Sequence, residues 1–134
     1  MQQRHTDILS FIKESKTFKT GNNIFLVLNP LRQKEIEELK KFFNIDFSNY
    51  VRSMDDSCVR HAEKHNNITD EDLLLGNYIT ENYDFVCYDT ENKKVVYSKK
   101  ITEKNGERKF YYVEYIQTGK KRMAMKTMYK TRIL

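Results

Sequence analysis

Hydrophobic positions change their period once along this chain. Up to about residue 84 they recur mostly at helical spacing; beyond it they gather into β-branched and aromatic runs separated by short polar breaks. Ile8, Phe11, Ile12 and Ser15 share one face of a first helix. After the break at Gly21-Asn22-Asn23, the run Ile24 to Leu28 predicts a buried strand. Asn29-Pro30 has the form of an N-cap with proline at the first helical position, followed by the apolar face Leu31, Ile36, Leu39, Phe42 and Phe43. Residues 45–53 are read as a linking segment. Asp55 and Asp56 then open a third helix that runs to about Asn66, and Thr69 to Asp72 forms a capping box for a short fourth helix stopped near Gly76.

Four strands follow: Phe85–Tyr88, Val95–Lys100, Phe110–Ile116 and Met123–Tyr129. They are separated by Glu91-Asn92, Asn105-Gly106 and Thr118-Gly119 at hairpin spacing. The expected class is α+β, with N-terminal helices packed on one face of a C-terminal antiparallel meander sheet. A length of 134 residues suits a single domain, with no interdomain linker among four glycines and one proline.

Charge adds what periodicity does not show. Residues 1–92 hold 11 Lys and Arg against 16 Asp and Glu, whereas residues 93–134 hold 13 against 3. So cationic a final third favours a polyanion as partner, nucleic acid foremost, over a merely solvated basic face. The same face fits an acidic protein partner. Cys58 and Cys87 stand far apart without a C-x-x-C pair, which argues against a disulfide framework or zinc ribbon. Met1 to Ser10 lacks the apolar stretch of a secretory signal and no run reaches membrane-spanning length, so the expected location is cytoplasmic, with no membrane partner.

Chemistry concentrates in two places. In Arg60-His61-Ala62-Glu63-Lys64-His65, positions i and i+4 bring His61 beside His65 and Arg60 beside Lys64 on the third helix. Two imidazoles near permanent cations suit proton transfer on a phosphodiester, although each histidine alone is also an ordinary surface residue. Metal chemistry is the rival, since H-x-x-x-H is a ligand spacing. The H-E-x-x-H signature is absent, no third ligand is spaced to join, and no zinc-deaminase cysteine pair completes His61-Ala62-Glu63, so neither metal nor cofactor is expected. Nothing in the sequence connects His5 with this pair.

The second place is Met123 to Lys130. Strict alternation puts Thr127 and Tyr129 on one face with Met123 and Met125, and Lys126 and Lys130 on the other. Between Val95 and Tyr115, interleaved Lys, Arg and Tyr suit single-stranded RNA, and Tyr112 is the ring expected to meet substrate, although half of these tyrosines must face a core. No Walker loop, Rossmann glycine pattern or G-x-S-x-G elbow is present.

The stretch Val59-Arg60-His61-Ala62-Glu63-Lys64-His65, the acidic-capped short helix, the meander and the ending Lys126-Thr127-Met128-Tyr129-Lys130 together resemble the phage-associated branch of the barnase/EndoU/colicin E5–D/RelE nuclease superfamily. The resemblance covers roughly residues 45–131; residues 1–44 match loosely. It implies a metal-independent endoribonuclease, toxin-like or phage-associated, in which a 2′-hydroxyl attacks the adjacent phosphate to leave a cyclic phosphate and a 5′-hydroxyl, and with it an acidic inhibitor or immunity protein as partner. By motif it implies His61 and His65 as base and acid in either order, Thr127 and Tyr129 as orienting groups, and Arg60, Lys64, Lys126 and Lys130 as phosphate contacts. Fold membership does not itself confer activity. A non-catalytic RNA-binding module and an interaction domain for an acidic protein therefore stand as alternatives.

Overall fold

In the computed structural model the residues described are 2–3, for the backbone alone, and 7–132. In chain order the elements are β1 (Gln2–Gln3), α1 (Ile8–Ser15), β2 (Ile24–Val27), α2 (Gln33–Phe43), β3 (Val51–Asp55), α3 (Asp56–His65), α4 (Asp70–Leu73), α5 (Gly76–Asn82), β4 (Phe85–Asp89), β5 (Lys94–Glu103), β6 (Gly106–Gln117) and β7 (Arg122–Arg132). The strands form one open sheet in the order β1-β2-β3-β7-β6-β5-β4. The β4-β5-β6-β7 meander is antiparallel as expected, but β3 joins β7 in parallel and β1 joins β2 in parallel, so the sheet as a whole is mixed.

Alternation of side chains across the strands explains why the helices cover one face. The registers align Leu26, Met54, Met125, Glu114 and Val95 on that face, along with Arg52, Met123, Met128, Phe110, Tyr112 and Tyr97; all of these are buried. Phe11 and Ile12 of α1, Leu39 of α2, Val59 and Ala62 of α3, and Ile79 of α5 join the same core. The opposite face carries Phe85, Lys100, Lys109, Tyr111, Tyr115, Thr127 and Tyr129, all at least partly exposed.

The last third of the linking segment proposed for residues 45–53, from Val51 on, is instead strand. Arg52 occupies an inward position of β3 and gives Nε to Glu114 at 2.7 Å and Nη2 to Glu35 at 2.8 Å, with Tyr97 Oη at 3.2 Å. Burial opposes the charge of Arg52, yet Glu114, Tyr97 and Glu35 together outweigh it and raise its pKa. Glu35 is likewise held low against burial by Arg52 and Arg32.

Two further expectations give way to long-range contacts. Helix α2 starts at Gln33, where the Arg32 backbone N–H and Nε both donate to Glu35 Oε1. Asn29 is no N-cap, because its amides bond Asn77 and Glu81 of α5. Gly76 opens α5 rather than ending α4; an added Cβ there would lie 3.2 Å from the Tyr112 ring, so glycine permits the close approach of helix to sheet.

Lys16, just beyond α1, meets Glu63 of α3 at 3.3 Å and Asp70 of α4 at 2.6 Å. Burial, aided by the hydrogen bond and charge of Asp70, pushes the Glu63 carboxyl up to about 7 against the pull of Lys16. Folded-state pKa above the ordinary 4.5 means the native chain retains a proton that the unfolded chain has released. Its contribution therefore falls as pH rises from about 4.5 to about 7, while Asp70, held below its ordinary 3.8, acts in a more acid window with the opposite sign. Glu63→Gln flattens stability across the Glu63 window, read as the urea midpoint at a series of pH values.

Candidate active site

Helix α3 follows β3 without a loop, with Asp55 ending the strand and standing as N-cap. Asp56 accepts hydrogen bonds from the backbone N–H groups of Asn23 at 2.7 Å and Ile24 at 3.0 Å, and from Arg60. Burial of its carboxyl is outweighed by these donors, which hold its pKa low. Thus one side of α3 is fixed to the segment before β2. Arg60 belongs to this side, giving Nη1 to the Ser15 carbonyl at 2.9 Å and Nη2 to the Gly21 carbonyl at 2.6 Å. The phosphate contact expected of Arg60 is replaced by a clamp on the end of α1 and the Gly21 turn.

His61, Lys64 and His65 remain exposed, and the two imidazole centroids lie 4.8 Å apart at an interplanar angle of 43°. The i, i+4 geometry of the helix thus brings the pair together as the spacing predicts. His5 lies outside the described residues.

Strand β7 departs from strict alternation. Val113 pairs Thr127 but Glu114 pairs Met125, so Lys126 is an extra residue at a β-bulge. The bulge inverts parity. Thr127 and Tyr129 face away from Met123 and Met125, correcting the common face expected for all four. Lys126 rests with Nζ 4.7 Å from the Tyr115 centroid on the Thr127 side of the sheet. Lys130 points to the other face, where Nζ meets Asp72 at 2.9 Å and Glu103 at 3.2 Å. Tyr112 is fully buried in the core, so the substrate contact expected of it is corrected as well.

Beyond Met125, no strand among the described residues lies beside β7 on the β3 side, since β3 has turned into α3. Asn66, the C-cap of α3, fills that place: its Nδ2 donates to Thr127 Oγ1 at 2.7 Å and to the Met128 carbonyl at 3.1 Å. This bond links the residue next to His65 with the Lys126-Thr127-Met128-Tyr129 stretch. Tyr129 stacks on Tyr111 at 4.7 Å and 17°. Burial, with the neighbouring Tyr111, raises the Tyr129 pKa and keeps its phenol protonated. Next to the bulge, Lys93, Lys94, Tyr115, Gln117 and Lys126 line a cleft of about 500 Å³.

Asn66, Lys94 and Tyr111 were not singled out by the sequence. Asparagine after a helical stretch is a C-cap signal, but its partner lies 61 residues away and has no local signature. Among the described residues no group of three or more His, Cys, Asp and Glu is arranged to hold a metal ion, and no helix is long and apolar enough to cross a membrane.

A family model described as phage-Barnase-EndoU-ColicinE5/D-RelE like nuclease3 matches residues 30–133. The match runs from the approach to α2 through β7 and takes in both halves of the site. Neither a curated protein nor a solved structure matches the chain.

Proposed function

From the premise that this chain belongs to the family of phage-Barnase-EndoU-ColicinE5/D-RelE like nucleases, we propose that it is an endoribonuclease, toxin-like or phage-associated, with His61 and His65 as its acid–base pair. The carrying observation is the exposed histidine pair, with centroids 4.8 Å apart, at the end of a helix joined to Thr127 through Asn66.

In the proposed reaction one neutral imidazole takes the proton of a ribose 2′-hydroxyl as that oxygen bonds to the adjacent phosphorus. The bond from phosphorus to the 5′ oxygen breaks, and the other imidazole, protonated, gives its proton to the leaving oxygen. The products are a 2′,3′-cyclic phosphate and a 5′-hydroxyl, with no net change in protons and no metal in the scheme. Asn66 donates to Thr127 Oγ1, which leaves the threonine proton for a phosphoryl oxygen. Lys126 offsets charge developing on phosphate, and the Tyr129 phenol is a second donor. A well-placed donor of this kind is worth on the order of a hundredfold in rate. Lys64 stands in solvent one position before His65 and serves the flanking backbone.

An oligodeoxynucleotide carrying a single ribonucleotide is cut only on the 3′ side of that residue, and its all-deoxy counterpart stays intact. Cleavage of the all-deoxy strand overturns the reading. The exposed rings and lysines of the uncovered sheet face also favour a second reading, a non-catalytic RNA-binding module, which predicts salt-sensitive binding that leaves RNA whole. An acidic inhibitor is the protein partner that this cationic surface fits.

A further inference from the structure

We propose that Phe85, with Lys109, forms a base-stacking subsite for single-stranded RNA on the side of the sheet remote from the histidines; the inference rests on RNA being the substrate. Phe85 is 70% exposed, the most exposed of the large hydrophobic side chains on the described surface. It lies on edge strand β4, and the register sets it in one transverse row with three others: Phe85 opposite Ser98, Ser98 opposite Tyr111, and Tyr111 opposite Tyr129. All four point to the uncovered face. The row therefore begins at the proposed catalytic strand and ends at Phe85, three strand spacings or about 14 Å away.

One cation, Lys109 on the neighbouring row, stands near two rings of this line, and Tyr111 stacks directly on Tyr129. Lys109 Nζ lies 5.3 Å from the Tyr111 centroid and 5.9 Å from that of Phe85, with no carboxylate in ion-pair range among the described residues. Phe85, Lys109, Lys100 and Asp84 line a concavity of about 480 Å³. Lys100 pairs with Glu107 at 3.3 Å, but both are exposed and such a pair exchanges readily for phosphate. Asp84 is the carboxylate in the pocket; Lys99 neutralises it at 3.1 Å while it accepts the Lys100 backbone N–H at 2.8 Å. A ring open to solvent beside a cation without an acidic partner suits a base stacked on the ring and its phosphate on the ammonium, the combination single-stranded nucleic acid offers at every nucleotide. An apolar protein partner would leave Lys109 buried and unpaired.

The test uses the full chain carrying His61→Ala and His65→Ala, so that RNA stays whole, and a fluorescent ten-nucleotide RNA at low salt. Adding Phe85→Ala weakens binding about five- to a hundredfold, the worth of one base–aromatic stack, and Phe85→Trp restores it. Adding Lys109→Ala lowers the slope of log affinity against log salt by about 0.7. If the parent binds and Phe85→Ala binds equally well, the subsite is wrong and the RNA reading survives. If the parent does not bind RNA, both fall. A parent that self-associates in sedimentation, with Phe85→Ala abolishing association and leaving RNA affinity unchanged, assigns the ring to a protein interface and overturns the proposal.

Discussion

Replacing His61 and His65 together by alanine lowers the rate of RNA cleavage by about a thousandfold or more while the chain stays folded. General acid and base each contribute roughly a hundred- to ten-thousandfold, and because both act in one transition state their losses do not add. Each single variant consequently falls nearly as far as the double. Both imidazoles are exposed and absent from the core, so their removal leaves thermal unfolding close to wild type. Single-turnover cleavage with melting curves of the same preparations reads the two effects separately. Wild-type rates in the double variant, at unchanged stability, remove these residues from the mechanism.

Arg52→Met produces the largest loss of stability, about 3–5 kcal/mol, because Glu114 and Glu35 are left buried beside an apolar side chain. Domains of this size have about 5–15 kcal/mol in total, so the variant unfolds roughly 10–20 °C earlier. Glu114→Gln in the same chain recovers part of the loss: it removes the stranded charge, and Glu35 keeps Arg32 at 3.0 Å. Thermal melts of wild type, single and double variants check this order. An Arg52→Met protein as stable as wild type contradicts the assigned role of the buried ion pairs.

Local signals carried much of this fold into the sequence. The His61–His65 contact follows from helical spacing, the α4 capping box from Thr69 and Asp72, and the four meander strands from aromatic and β-branched runs. Features requiring distant partners were hidden. Strand β3 places a charged Arg52 where a core residue is expected, and that becomes intelligible only with Glu114, 62 residues on. Asn29 reads as a cap until α5 claims its amides. The Lys126 bulge leaves no mark in the alternation of β7, so the face carrying Thr127 and Tyr129 was assigned with the wrong neighbours. Arg60 was drawn into the site by adjacency to His61 and Tyr112 by its place among interleaved lysines, arginines and tyrosines, whereas a turn carbonyl and a helix packed against the sheet determine their surroundings.

The account is tested most directly by incubating the wild-type protein with end-labelled single-stranded RNA in excess EDTA and identifying the termini of the fragments. It predicts 2′,3′-cyclic phosphate and 5′-hydroxyl ends. Fragments with 5′-phosphate ends, or RNA left whole under conditions where the protein binds it, contradict the proposed reaction.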